Sequence, residues 1–234
     1  MIKPLFVEEE IYHIYNRGVE KRELFIDDED YLRFIHDLFE FNDENSAPNL
    51  SYYLIQPKKV QLPNINIKKR KPRKLLVEIL VFCLMPNHFH FILKQKQEGG
   101  IIKFMQKLGT GYTMYFNKKY ERVGGLFQCR FKAVLIDKES HFEHLPFYIH
   151  TNPLKLVCRG STSAEVSADS IEFLEKYRWS SFLDYIGEKN FPSLTSKELF
   201  LDFFGGEEKY LEQTKQWIKE RKDNFEKIKE IALE

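Results

Sequence analysis

The sequence predicts an α+β protein built on a ferredoxin-like antiparallel sheet. Three observations support this fold class: four segments have the composition of strands, two segments between them have helical periodicity, and their order is strand, helix, strand, strand, helix, strand. In this arrangement the helices lie on one face of the sheet, so the other face is available for a site. We expect this unit to occupy residues 1–187, and a C-terminal helical extension to occupy residues 188–234.

The first strand and the first helix follow from local composition. Residues 10–18 are β-prone and end at Gly18, which predicts a strand. Acidic residues at 27–30 precede apolar residues at helical spacing, as at the amino terminus of a helix. Residues 42–74 are then predicted to form a loop insert, and six of the seven residues at 68–74 are cations.

The remaining strands and helices of the domain follow the loop insert. Two strands are predicted at 74–85 and 88–96, separated by a Pro-Asn turn signal. A helix at 99–119 and a strand at 127–136 follow. Residues 140–143 have the pattern of a capping box, which begins a further helix.

The C-terminal extension contains one more predicted helix. Its apolar residues recur every seven positions, so one stripe is apolar and the rest is charged. Such a stripe is usually docked against the parent domain, and a partner helix is the alternative. The members of the stripe are Leu211, Ile218, Phe225 and Ala232.

Composition excludes several classes of protein. The net charge of +1 gives no overall attraction to nucleic acid, so local clusters of cations matter more than the sum. Cys83, Cys129 and Cys158 are odd in number and lack paired metal spacing, which argues against a disulfide framework and a cysteine zinc site. The longest apolar stretch, 79–85, is too short to span a bilayer, and the amino terminus lacks a signal-peptide core. We expect a soluble protein in the reducing cytoplasm.

A histidine pair begins the second strand of the predicted hairpin. Because side chains alternate along a strand, His88 and His90 point to one face, and Phe89 points to the other, packed face. Two imidazoles held side by side on a rigid strand can share one divalent metal. From the spacing alone, two exposed polar positions on a half-buried strand remain the alternative.

A second constellation lies about sixty residues later. Tyr148 and Asn152 are four residues apart and therefore project from the same face of the predicted helix, which Pro153 ends. A tyrosine with a pKa near 10 needs help to act as a nucleophile at neutral pH, and a metal that polarises the electrophile gives that help. The amide oxygen of Asn152 could be a third ligand beside two imidazoles, a mixed set that suits Mg²⁺ or Mn²⁺.

The two motifs are His88-Phe89-His90 and the run from Tyr148 through Asn152 to Pro153. Together they resemble the motifs of the single-tyrosine HUH transposases of the IS200/IS605 type, and more closely those of their REP-associated relatives. The resemblance covers most of residues 10–187. The other matching segments, in chain order, are residues 12–18, 83–88, 115–117 and 125–133.

The resemblance implies a ferredoxin-like fold and a divalent metal, Mg²⁺ or Mn²⁺, held by His88, His90 and Asn152. It also implies that Tyr148 is the nucleophile, which forms a 5′-phosphotyrosyl link to single-stranded DNA and releases a 3′-hydroxyl. Two residues depart from the pattern. Cys129 occupies a position where relatives usually have glycine, and Pro146 lies inside the predicted helix just before the nucleophile.

Cations on or beside the predicted strands and in the loop insert are candidate DNA contacts, with solvated salt bridges or a linker without a partner as the alternatives. They are Arg17, Lys68, Lys69, Arg70, Lys71, Arg73, Lys74, Arg130 and Lys132.

Four further residues receive less specific interpretations. Tyr112 and Tyr115 lie on an apolar helical stripe and are interpreted as core or DNA-stacking residues. His150 lies on the wrong side of the helix to assist Tyr148 and is interpreted as a surface or phosphate-facing residue. His13 could point to the sheet face near the metal, but a lone strand histidine is more often structural.

The sequence therefore predicts a metal-dependent DNA transposase, that is, a tyrosine endonuclease and strand transferase acting near DNA hairpins. A non-catalytic hairpin-binding regulator derived from such an enzyme is the second interpretation. A small-molecule metalloenzyme with two histidines and an oxygen donor is the third. Monomer and homodimer are both open, and no membrane partner is expected.

Overall fold

The computed structural model describes residues 4–45, 72–157 and 168–220. Within them the chain forms β1 (Ile11–Arg17), α1 (Asp28–Phe41), β2 (Val77–Met85), β3 (His88–Gln95), α2 (Gly100–Lys119), β4 (Lys132–Leu135) and α3 (Glu139–His150). A 3₁₀ helix (Asn152–Leu156) and four helices follow: α4 (Ala168–Lys176), α5 (Phe182–Tyr185), α6 (Glu198–Phe204) and α7 (Glu207–Lys219). Another 3₁₀ turn, Val19–Lys21, comes after β1.

The four strands form one antiparallel sheet in the order β2-β3-β1-β4. This order, with one helix between β1 and β2 and another between β3 and β4, is the ferredoxin-like arrangement. The predicted α+β fold class is therefore confirmed. The fourth strand is shorter than the predicted range of 127–136. Residues 127–131 are not part of it, because they pair with the sheet only through a bridge between Gly18 and Phe127.

Helices α1 and α2 cover the first face of the sheet, which we call the core face. Every second strand residue, including Tyr12, Ile14, Phe89 and Phe91, packs there without solvent exposure or nearly so. Phe34 of α1 contacts both strand phenylalanines, with ring centres 5.5 and 6.4 Å apart. Burial of these rings stabilises the fold.

The second face, which we call the site face, carries its own helical layer. Residues of β2 and β3 on this face pack against α3 and the C-terminal helices. The expected open face is therefore only partly open, because residues beyond β4 fold back over it. Trp217 and Ile218 of α7 are buried in this layer, as the apolar stripe predicts.

The outer edge of β2 is covered by the segment that follows α4. Leu84 donates its N–H to the carbonyl of Trp179, and Ser181 donates its N–H to the carbonyl of Phe82. Tyr185 donates its hydroxyl hydrogen to Leu80 O. These bonds satisfy backbone groups that an uncovered edge strand would leave open.

Several predictions fall outside the described residues. They concern the cations Lys68, Lys69, Arg70 and Lys71, the cysteine Cys158, and the apolar positions Phe225 and Ala232. Among the described helices, none combines the length and apolar character needed to cross a membrane. The proposed boundary between residues 187 and 188 stays a prediction.

A candidate metal and tyrosine site

The β2–β3 hairpin places both histidines on the site face. Residues 86 and 87 form the two-residue turn that the sequence predicts, so His88 is the first residue of β3. His88 lies opposite Arg17 of β1, and His90 lies opposite Tyr15. The two imidazole rings are 5.1 Å apart between centres and nearly perpendicular. His90 is fully buried, whereas His88 is partly exposed at the end of the strand.

Helix α3 brings Tyr148 to the same place. The ring of Tyr148 stands edge to face with His90, with 5.7 Å between centres. Pro146 lies within this helix, which nevertheless continues to His150. Asn152 follows on the 3₁₀ helix rather than on α3, and its side chain is 1% exposed. The structure thus brings all four predicted site residues together.

Hydrogen bonds fix the orientation of both histidines through the same ring atom. His90 Nδ1 lies 3.0 Å from Nε2 of His13, a buried residue of β1 whose ring stacks on that of His90. His88 Nδ1 lies 2.7 Å from Oδ1 of Asn87 in the turn. Metal-binding histidines commonly use one ring nitrogen for such a partner and the other for the metal. The sequence analysis allowed for His13 on the sheet face near the metal, but it did not predict the contact with His90.

Three polar atoms at the centre of the site lack hydrogen-bond partners among the described residues. They are Nε2 of His90 and both amide atoms of Asn152. The amide is near enough to His88 to favour its protonated ring, yet the contact does not reach hydrogen-bond geometry. Buried polar atoms without partners are costly, and a ligand at this point would satisfy all three.

These atoms fit a divalent metal. The described residues contain no cluster of three His, Cys, Asp or Glu side chains, so a site here must combine the two imidazoles with another kind of ligand. The amide oxygen of Asn152 is the available one. A mixed nitrogen and oxygen set suits Mn²⁺ or Mg²⁺ with positions left for other oxygen atoms.

Burial keeps both imidazoles neutral, which is the form that binds a metal. Burial lowers the pKa of His88 to about 3, with the positive charges of Arg17 and Lys155 acting in the same direction. Burial also lowers the pKa of His90 well below its ordinary value, and the neighbouring imidazoles of His88 and His13 add to this effect.

Two cations lie beside the histidines. Arg17 ends β1, and its Nε is buried without a hydrogen-bond partner among the described residues. Lys155 lies on the 3₁₀ helix, with Nζ 5.1 Å from the centre of the Tyr148 ring. Arg17 was a predicted DNA contact. Lys155 was missed, although its position three residues after Asn152 was a signal that could have found it.

The other predicted DNA contacts are spread over the surface. Lys132 Nζ lies 5.7 Å from the ring centre of Tyr15 on the site face, and Arg130 is exposed just before β4. Arg73 donates to the carbonyls of Phe39 and Asn42, and Lys74 forms a 3.3 Å ion pair with Glu44. Their DNA-binding roles stay predictions.

One interpretation from the sequence is wrong. His150 is not a surface residue: it is 0% exposed, because α7 covers this side of α3. Its Nδ1 lies 2.7 Å from the hydroxyl of Tyr210, and its Nε2 lies 2.7 Å from the hydroxyl of Ser181. By contrast, Tyr112 is a core residue as predicted, and its hydroxyl donates to Leu24 O.

Comparisons with known proteins agree with the fold and with the motifs. A solved structure titled "Structure of the REP associates tyrosine transposase bound to a REP hairpin" matches with a TM-score of 0.51 and 14% identity, over 82% of this chain and 88% of that one. At this identity the likeness shows the fold. No curated protein matches the chain.

A family of known proteins matches the part of the chain that carries the site. Residues 54–152 match the family described as Transposase IS200 like, and this range runs from before β2 to Asn152. It therefore includes the histidine pair and Tyr148. This match agrees with the family resemblance that the sequence motifs predict, and it supports a DNA-binding role related to transposition.

Proposed function

We propose that the protein is a metal-dependent DNA strand transferase that cleaves and rejoins single-stranded DNA through Tyr148. The observation that carries this proposal is the convergence of buried, unpartnered ligand atoms, His90 Nε2 and the Asn152 amide, beside the Tyr148 ring. Metal ligands next to a phenol favour phosphoryl transfer over a purely structural metal site.

The proposed reaction is the one that the family resemblance implies. The Tyr148 oxygen attacks the scissile phosphorus, the bond from phosphorus to the 3′ oxygen breaks, and the phenolic proton leaves as the departing oxygen gains one. The resulting 5′-phosphotyrosine keeps the energy of the broken bond for rejoining to another 3′-hydroxyl. When bound, a divalent metal at His88, His90 and Asn152 would stabilise the negative charge on the phosphoryl oxygens.

The two neighbouring cations support binding of the same phosphodiester. Arg17 lies opposite His88 in the pairing of β1 with β3, and Lys155 Nζ lies 5.1 Å from the centre of the Tyr148 ring. His88 and Arg17 are partly exposed, whereas His90, Tyr148 and Asn152 are buried. DNA therefore approaches from the turn end of the β2–β3 hairpin, where Arg17 meets its phosphates.

The likeness in fold supports the choice of substrate. The solved relative is described as bound to a REP hairpin. We propose that this chain likewise acts on single-stranded DNA next to a hairpin. Association of two copies is not needed for the site, because one chain supplies all four site residues.

The test is a denaturation-resistant adduct between the protein and a hairpin oligonucleotide in the presence of Mn²⁺. We expect the wild type to form it, and Tyr148→Phe to lose it completely while hairpin binding survives. Tyr15→Phe is the matched control, because the Tyr15 ring also lies within 6.0 Å of His90 but on β1. We expect this control to keep the adduct.

An adduct that persists in Tyr148→Phe would overturn the assignment of the nucleophile. Hairpin binding by the wild type without any adduct would instead favour the non-catalytic regulator. Removal of divalent metal with a chelator is expected to abolish the adduct and to leave hairpin binding in place.

A further inference from the structure

We propose that a groove between α2 and residues 125–131 binds an unpaired base of the strand on which the site acts. This inference rests on the proposed function and extends it to a second binding site. The groove lies at the β4 edge of the sheet, away from the histidines and Tyr148.

The groove is large and mainly apolar. Its volume is about 620 Å³. Helix α2 forms one wall, and the segment before β4 forms the other. The walls include Met105, Gly109 and Thr113 on the helix, and Phe127, Arg130 and Phe131 on the segment.

A glycine in the middle of the helix keeps the groove open. A Cβ atom built at Gly109 meets no other atom within 4 Å. Glycine inside a helix costs roughly 0.5–1 kcal/mol relative to alanine, and no close packing in the fold requires it here. Gly111, two residues later, differs: a Cβ there would lie 2.5 Å from the Phe41 ring. Gly109 therefore leaves space for a ligand, whereas Gly111 leaves space for the core.

The chemistry of the groove fits a nucleobase in single-stranded nucleic acid. An aromatic side chain and apolar walls accept the flat face of any base, and an adjacent cation accepts the phosphate. Arg130 is exposed and is the charged residue among those that line the groove; none of them is acidic. The positive charge of Arg130 favours a negatively charged ligand. An unpaired base in a nucleic acid strand is always attached to a phosphate and therefore meets this requirement.

The groove is connected to the metal site through the end of β1. Gln128 donates its N–H to the carbonyl of Arg17 at 2.8 Å. The Asn16 side-chain amide donates to the carbonyls of Cys129 and Arg130 at 2.8 and 3.0 Å. The segment that carries Arg130 is thus fastened to the strand end that carries Arg17, opposite His88. A strand whose phosphate lies at Arg17 can continue to Arg130 and place its next unpaired base in the groove.

Cys129 offers a direct probe of occupancy. It lines the groove and is exposed, whereas Cys83 is buried. In a Cys158→Ser, Tyr148→Phe background without divalent metal, alkylation by N-ethylmaleimide reports on Cys129 and does not depend on cleavage. We expect a hairpin with single-stranded extensions to slow this alkylation at least about tenfold. A blunt hairpin of the same stem is expected to leave the rate unchanged. Equal rates with both DNAs would overturn the inference.

A graded substitution at Gly109 provides the second test. Gly109→Leu fills the groove, whereas Gly109→Ala adds one methyl group and improves helix propensity. We expect Gly109→Leu to weaken binding of the extended hairpin about tenfold, to leave the blunt hairpin unaffected, and to keep the thermal stability of the wild type. Gly109→Ala should bind both DNAs nearly as the wild type does. Unchanged affinity of folded Gly109→Leu for the extended hairpin would refute the groove.

These readouts separate the two proposals. Discrimination between extended and blunt hairpins without any adduct would support the groove and refute the strand transferase. Adduct formation would support the strand transferase. If Cys129 were then unprotected and Gly109→Leu kept full affinity, the groove would be refuted.

Discussion

Both faces of the sheet are covered by helices, but the buried polar atoms on the two faces differ in whether they have hydrogen-bond partners. On the core face, Phe89 and Phe91 pack against α1 and α2, and the hydroxyls of Tyr12 and Tyr112 donate to backbone carbonyls. On the site face, His90 and Asn152 are equally buried and yet keep atoms without partners among the described residues. Alternation along β3 thus places Phe89 and Phe91 on the core face, and His88 and His90 on the site face.

Two buried histidines on the site face, His150 and His90, also differ in the hydrogen-bond partners of their ring nitrogens. His150 has partners for both ring nitrogens, the hydroxyls of Tyr210 and Ser181, whereas His90 has a partner only for Nδ1. Burial lowers the pKa of both. A shifted pKa therefore does not identify the functional histidine. The position of the unpartnered nitrogen of His90, beside His88 and the Tyr148 ring, distinguishes it from His150.

The largest expected effect is on the core face. Phe91→Ala should lower the free energy of unfolding by about 3–5 kcal/mol, because it removes a fully buried ring between Phe34 and Phe89. Urea denaturation measures this loss. The Mn²⁺ affinity of the folded fraction should stay that of the wild type, and a parallel loss of affinity would break the separation between the faces.

The next effect is on the site face of the neighbouring strand. His13→Phe should weaken Mn²⁺ binding ten- to hundredfold, because His90 then loses the partner that orients its ring. Isothermal titration calorimetry measures this affinity. The matched control is Ile14→Val on the core face of the same strand, which should cost about 0.5–1.5 kcal/mol of stability and leave metal affinity unchanged. Equal Mn²⁺ affinities in the two variants would show that His13 does not support metal binding.

The smallest effect concerns the satisfied histidine. Tyr210→Phe should destabilise the protein by about 1–3 kcal/mol, because Nδ1 of His150 is left buried without its partner. Thermal or urea unfolding measures the change. Mn²⁺ affinity should be unaffected, since His150 does not face the metal ligands. A variant as stable as the wild type would show that this hydrogen bond does not hold α7 on α3.

Local periodicity was enough to predict the hairpin turn before His88, the shared direction of His88 and His90, and the helix that carries Tyr148. Each depends on residues close in the sequence. The burial of His150 and the proximity of Lys155 to Tyr148 could not be predicted in this way. They depend on how the chain beyond β4 folds back over the sheet, which no local pattern encodes.

The sequence by itself determined the order of strands and helices, the family motifs and the residues that belong to each face, because side-chain direction follows from backbone period. Only the tertiary structure decided that His13 holds His90, that Asn152 reaches the histidines from a 3₁₀ helix, and that Gly109 leaves a groove beside Arg130. Those contacts join segments far apart in the chain, so they exist only once the sheet and its two helical layers have packed together.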